Sequence, residues 1–284
     1  MSRAEHRVTR ASDTALRARF AGRLAVVTGG SSGIGLAVAT RLVSVGARVV
    51  LVADQPLKLD AAATALGGLD ADVHTVACDI GRPDEVTEAM ARLLSRHGAP
   101  DLLVNNAGFA VYRTFEQSSM EEIERLFEVN FAGHLRCTKA LLAPMIARRS
   151  GQIVNIASIA GLMTLTPNAV YGAAKFGIVG WSRSLRVELA RFGIGVTCVC
   201  PGRVDTPFFD HETFRHRRHR KETELTVRMA VVVDATLDAA GRNRELVAVP
   251  RYFGWLSRAA AAVPPLQSLQ HALLRRRVED LYRD

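Results

Sequence analysis

Between residues 24 and 200 the chain repeats one pattern: a short, nearly continuous apolar run, a turn, then a longer stretch with apolar residues at helical spacing. The apolar runs fall at 24–28, 47–53, 73–78, 102–105, 152–156 and 195–200. The helical stretches fall between them at 34–45, 57–66, 84–97, 118–149 and 169–192. A strand apolar on both faces must be covered on both faces, and strands that alternate with helices run parallel, because each helix carries the chain back across the sheet. The pattern therefore predicts an α/β fold: a single doubly wound parallel sheet with helices on both faces.

Beyond Pro201 the regularity loosens. Residues 204–221 are polar, aromatic and basic, and read as an excursion over the sheet edge. A further helix is expected over 222–240 and a last strand over 245–249. In the tail, Leu266, Leu269 and Leu273 recur at amphipathic-helix spacing beside Arg275, Arg276 and Arg277, after Phe253, Trp255 and Leu256. The organisation expected is a flexible basic leader over 1–20, one domain over 21–250, and a basic amphipathic extension over 251–284.

Composition excludes several classes. With 48% hydrophobic and 23% charged residues the 284-residue chain is neither disordered nor a disulfide-stapled miniprotein. Its net charge of +9 is unevenly distributed: residues 1–20, 215–221 and 275–277 carry +3, +5 and +3, which leaves −2 for the other 254. The body is close to neutral, so the basic excess is a property of a leader, a lid and a tail. The run from Arg215 to Lys221 reads as a solvated helix face, with an acidic substrate group, anionic lipid or nucleic acid as alternatives; no nucleic-acid partner is expected. No run of 18 apolar residues is present, and the N-terminus lacks the apolar core of a secretory signal. A soluble, cytoplasmic protein is expected. The leader reads as disordered, an organellar transit peptide being the alternative. The tail reads as docking on its own domain or on a partner subunit, with peripheral membrane contact as the alternative. Cys78, Cys137, Cys198 and Cys200 have no metal-ligand spacing and read as reduced core thiols; no metal is expected.

The segment TGGSSGIG, from Thr28 to Gly35, stands where the first strand ends and the first helix begins. Gly29, Gly33 and Gly35 permit a sharp turn and close approach of a pyrophosphate. The helix N-terminus offers free N–H groups to the phosphates, which makes this a Rossmann-type dinucleotide site. A glycine-rich turn without a ligand is the alternative. Tyr171 and Lys175, four apart on a predicted helix, share one face. An ammonium beside a phenol of ordinary pKa near ~10 favours the phenolate and equips it for proton transfer; a solvated helix face is the alternative.

The spacing of the three glycines resembles that of the short-chain dehydrogenase/reductase family. Further landmarks follow in the family's order over about residues 20–210: NNAG at Asn105 to Gly108, Asn130 within EVNF, Ser158, YGAAK at Tyr171 to Lys175, and PGRVDTP at Pro201 to Pro207. The resemblance implies an enzyme acting on CH–OH groups with NAD or NADP, in which Tyr171 is the acid/base and Ser158 hydrogen-bonds the substrate oxygen. Lys175 would lower the tyrosine pKa and hold the nicotinamide ribose, and Asn130 would hold a relay water. It also implies a coenzyme wall of Gly29, Ser31, Ser32, Gly33, Ile34 and Gly35 at the turn, with Asp79 and Ile80 flanking the adenine. Asn106, Ala107 and Gly108 would lie on the adenosine side, Val204 and Thr206 would hold the carboxamide, and Pro201 and Gly202 would also contact the coenzyme. A helix cap for Ser158, a buried bridging amide for Asn130 and a cap for Asp79 are the alternatives. Asp54, ending the second strand, suits a ribose 2′-OH and repels a 2′-phosphate, so NAD(H) is favoured and NADP(H) remains open.

In this family the 204–221 region closes over the substrate. Phe208, Phe209 and Phe214, with Leu162, Met163 and Leu165, suggest a small lipophilic alcohol or ketone; a packed lid is the alternative. The expected activity interconverts a secondary alcohol and a ketone. An NADPH-dependent carbonyl or 3-oxoacyl reductase, or a non-catalytic dinucleotide-binding scaffold, are the other readings. A homodimer or homotetramer is implied by analogy.

Overall fold

A computed structural model describes residues 12–209 and 226–263, with 265, 268, 271, 272, 274 and 275 beyond them. Seven strands form one sheet: β1 (Leu24–Thr28), β2 (Arg48–Ala53), β3 (Val73–Ala77), β4 (Leu102–Asn105), β5 (Gly151–Ile156), β6 (Ile194–Pro201) and β7 (Leu246–Val249). Their order is β3-β2-β1-β4-β5-β6-β7, with every pairing parallel. The helices named among the described residues are α1 (Asp13–Phe20), α2 (Gly33–Ser44), α3 (Pro56–Ala65), α4 (Pro83–His97), α5 (Met120–Phe127), α6 (Gly133–Arg148), α7 (Ala169–Ala190), α8 (Met229–Gly241) and α9 (Tyr252–Ala262).

Alternation along each strand sends successive side chains to opposite layers. Val27, Leu51 and Val104 meet Val38 and Leu42 of α2 and Leu237 of α8 on one face. Val26, Val50 and Leu103 meet Met90 and Leu93 of α4 and Leu141 of α6 on the other. This is the two-sided burial that continuous apolar strands require. The winding reverses between β1 and β4, so a crevice opens at their C-terminal ends.

Three expectations are corrected. From Asp13 onward the chain is not a flexible leader: Ser12 caps α1 by accepting from the Ala15 amide at 3.2 Å, and Leu16 and Phe20, one turn apart, are buried in the first core layer. The burial of two such side chains contributes roughly 3–6 kcal/mol, enough to hold a short helix of low intrinsic stability. The single helix expected over 118–149 starts at Met120, behind a Ser119/Glu122 capping box, and contains a π segment at Glu128–Ala132. There the Asn130 side-chain amide donates to the Leu126 carbonyl at 3.1 Å, and insertion of a polar side chain into the backbone ladder is a known cause of such a bulge. Of the helix expected over 222–240, residues 222–225 lie outside the described residues, 226–228 are not helical and carry an isolated parallel bridge between Val204 and Val227, and the described helix begins at Met229.

Phe214, the run from Arg215 to Lys221, and Leu266, Leu269 and Leu273 lie outside the described residues, as does the side chain of Phe209. No helix among the described residues is long and apolar enough to cross a membrane.

Candidate active site

The glycine turn is stitched to the end of β4. Buried Thr28 accepts through Oγ1 from the amides of Asn106 at 2.9 Å and Ala107 at 3.1 Å, and Asn106 Nδ2 donates back to the Thr28 carbonyl at 3.0 Å and the Gly29 carbonyl at 3.2 Å. Gly29 has φ +63°, and a Cβ there would come within 2.8 Å of the Ala107 Cα. At Gly35 a Cβ would overlap the Gly29 carbonyl oxygen. These glycines are therefore required by close packing of turn, helix and strand. Ser32 starts α2 without a side-chain cap bond, so amides of the first turn are left to the cleft.

That cleft measures about 670 Å³. Gly29, Ser31, Ser32, Gly33 and Ile34 line it from the turn, Asp54 from the end of β2, and Asp79 and Ile80 from the end of β3. Asn106, Ala107 and Gly108 line it after β4, and Pro201, Gly202, Val204 and Thr206 after β6. Gly35 sits behind the turn and Asn130 behind Gly108, outside the lining itself. The Thr206 side chain lies 3.6 Å from where a Gly33 Cβ would stand, so the two rims approach each other.

Tyr171, Lys175 and Ser158 meet in the same cleft. Tyr171 occupies the first turn of α7 and Lys175 the next, and the Lys175 Nζ donates to the Ile156 carbonyl at 3.2 Å. Burial pushes the Lys175 ammonium down to about 8 and the Tyr171 hydroxyl up to about 12, the latter opposed by a hydrogen bond with Ser158. The expected depression of the tyrosine pKa is thus outweighed by desolvation, the larger effect in a buried site. Ser158 Oγ also accepts from the Ala160 amide at 3.1 Å, so the cap and the tyrosine contact coexist.

Asn130 is fully buried and its Nδ2 bridges the Phe109 and Leu126 carbonyls, as the amide alternative expected. Its Oδ1 has no partner, and a Cβ on Gly108 would lie 2.5 Å from that oxygen and 3.6 Å from Lys175 Nζ. A buried acceptor beside an ammonium suits an ordered water between them.

Asp79 acts as a cap: its Oδ1 accepts from the Gly81 amide at 2.9 Å and its Oδ2 pairs with Arg125 at 2.7 Å. Phe208 lies edge-on to Tyr171 with ring centroids 5.9 Å apart, and Leu165 faces the cleft. Leu162 packs against Ile178 and Val179 instead, and Met163 does not line the cleft.

Lys58, Arg125, Arg203 and Asn168 also line the cleft, and none was among the residues expected there. His134 was missed as well. It is fully buried and donates from Nε2 to the Ala107 carbonyl at 2.8 Å; burial, aided by the Lys175 charge, lowers its pKa to about 3 and keeps it neutral. Its separation of four from Asn130 was the available signal.

A crevice at the switch point of a doubly wound sheet, lined both by a glycine turn and by a half-buried tyrosine with a buried lysine, defines a dinucleotide-dependent oxidoreductase. The family model described as short chain dehydrogenase matches residues 23–216. Over 199 residues the chain is 38% identical to granaticin polyketide synthase putative ketoacyl reductase 1 of Streptomyces violaceoruber, covering 69% of this chain and 73% of that one. It is 35% identical over 208 residues to D-beta-hydroxybutyrate dehydrogenase of Rhizobium meliloti (strain 1021), covering 72% and 80%. A short-chain dehydrogenase from Sphingobium yanoikuyae, solved in complex with NADPH, superposes with a TM-score of 0.74 at 30% identity, over 88% of this chain and 95% of that one. The chain belongs to the short-chain dehydrogenase/reductase family and is an oxidoreductase of CH–OH and ketone groups that uses a nicotinamide coenzyme.

Proposed function

We propose that this enzyme interconverts a lipophilic secondary alcohol and its ketone with NAD(H), using Tyr171 as the proton donor and acceptor. The observation that carries the reading is the convergence of Tyr171, Ser158 and Lys175 in the cleft that the glycine turn also lines. The bound coenzyme supplies or accepts the hydride, which no side chain can do. Residues of the chain handle the proton: the Tyr171 hydroxyl exchanges it with the substrate oxygen, and the Ser158 hydroxyl holds that oxygen. The Lys175 ammonium favours the phenolate when the proton has left. Asn130 Oδ1, buried and unpartnered, supports a role in ordering a water toward Lys175. The first turn of α2, where Ser32 makes no side-chain cap bond and Ser31, Ser32 and Gly33 line the cleft, supports pyrophosphate binding by the turn from Gly29 to Gly35.

Asp54 supports the preference for NAD(H), since its exposed carboxylate at the end of β2 opposes a 2′-phosphate. A second reading, an NADPH-dependent carbonyl or 3-oxoacyl reductase, is favoured by Lys58, which lines the cleft on the same side, and by the NADPH in the related Sphingobium enzyme. Phe208 and Leu165 support an apolar substrate. A homodimer or homotetramer is supported by an apolar groove of about 700 Å³ on α4, α6 and α7, with Val86, Leu94, Leu135, Leu142, Trp181 and Leu185 along it. Absorbance of reduced nicotinamide, followed with each coenzyme and a panel of lipophilic secondary alcohols and ketones, tests both readings. Turnover with NAD(H) ahead of NADP(H) supports the first, and the reverse order supports the second.

A further inference from the structure

Helix α9 presents two unlike faces. Phe253 and Gly254 turn inward, with Phe253 against Gly202 at the rim of the cleft and Gly254 against Ala248 of β7. Tyr252, Trp255 and Leu256, three and four residues apart and therefore on one side, face outward at 45%, 72% and 48% exposure, and Val263 just beyond the helix is 43% exposed. Ten large hydrophobic residues are exposed among the described residues, and these four fall within twelve positions of one another. Clustering of this kind marks an interaction surface, where scattered single residues would not.

Charge indicates what covers it. Arg251 and Arg258 are exposed, seven residues apart, along one edge of the apolar face. The sequence from 246 to 278 contains five arginines and no aspartate or glutamate. A second copy meeting this face through a two-fold axis would bring the arginines of both copies into one interface, like charge facing like charge. An anionic bilayer instead meets the arginines with lipid phosphates and takes the tryptophan, tyrosine and leucine side chains at the headgroup boundary. We infer that α9 is an interfacial anchor, holding the enzyme on anionic membrane surfaces with the Gly202 rim of its cleft close to the lipid.

The test is co-sedimentation of the full chain with vesicles of phosphatidylcholine containing about one-third phosphatidylserine, and with phosphatidylcholine alone. Two double variants accompany it, Trp255→Ala with Leu256→Ser and Arg251→Glu with Arg258→Glu. All four side chains point outward, so thermal melting of both variants is expected to match the parent. The parent should bind anionic vesicles at least about tenfold more tightly than neutral ones, and each variant should lose about tenfold of that affinity. The inference is overturned if the parent fails to bind anionic vesicles, or if both variants bind as the parent does, which would place any lipid affinity in the other basic segments. It is equally overturned if the Trp255→Ala/Leu256→Ser variant converts a sedimenting dimer to monomer without any vesicle binding, because the face is then a subunit contact. None of these outcomes depends on turnover.

Discussion

The Lys175 ammonium lies 5.7 Å from the centre of the Tyr171 ring, with the lysine buried and tied to the Ile156 carbonyl and the tyrosine half-buried at the cleft wall. Two groups that each prefer water when charged are therefore both partly stripped of it, and their protonation states are coupled to folding.

That coupling has a direction. Folded Lys175 releases its proton near 8, whereas the unfolded side chain holds it to about 10.5. Between those values the unfolded chain binds more protons, so the contribution of Lys175 to stability rises with pH from about 8 upward. Folded Tyr171 keeps its proton to about 12 against about 10 unfolded, so its contribution falls as pH passes 10. Denaturant midpoints compared at pH 7 and pH 9.5 should show a gain of about 2 kcal/mol in the parent relative to Lys175→Met, which lacks the titrating group. A variant with the same pH slope as the parent would contradict the buried, depressed lysine.

Gly35→Ala tests the cradle. The new Cβ overlaps the Gly29 carbonyl and approaches Asn106 Nδ2 to 2.5 Å, so the turn must open. A stability loss of about 1–3 kcal/mol is expected, as for other overpacked sites. Coenzyme affinity, read by fluorescence titration with reduced nicotinamide, should weaken at least tenfold.

In the proposed reading, coenzyme choice rests on Asp54. Asp54→Asn removes the like charge facing a 2′-phosphate and leaves Lys58 in place. The ratio of NADP(H) to NAD(H) affinity should rise by about tenfold or more, since one charge repulsion removed is worth at least ~1.4 kcal/mol at short range. Binding titrations of the two coenzymes give the ratio directly, and an unchanged ratio would place the discriminating contact elsewhere.

Helix α1 is part of the core. Leu16→Ala and Phe20→Ala each empty a buried site and should cost about 2–5 kcal/mol in chemical denaturation. Values near zero would mean that α1 does not dock in solution.

Much of this architecture was legible in the sequence, because continuous apolar runs and helical periodicity are local signals. Strand succession, the glycine turn and the Tyr171/Lys175 pair all follow from short-range spacing. Leu16 and Phe20 carried the same signal, four apart, but the arginines around them read as a solvated leader. The π segment was not legible, because it depends on Asn130 reaching the Leu126 carbonyl. Lys58 and His134 were missed for a different reason. Their places depend on how α3 and α6 lie across the sheet, and nothing in their immediate neighbours reports that. The pairing of Asp79 with Arg125, 46 residues away, is of the same kind.

The most direct test of the account is turnover by Tyr171→Phe, measured as nicotinamide absorbance on the best substrate from the alcohol and ketone panel, beside coenzyme affinity measured by fluorescence. Removing one hydroxyl from a packed aromatic ring should leave coenzyme affinity within about twofold of the parent and lower turnover by about a thousandfold, as loss of an acid/base group does. Turnover within tenfold of the parent would contradict the assignment of Tyr171 as the proton-transferring group.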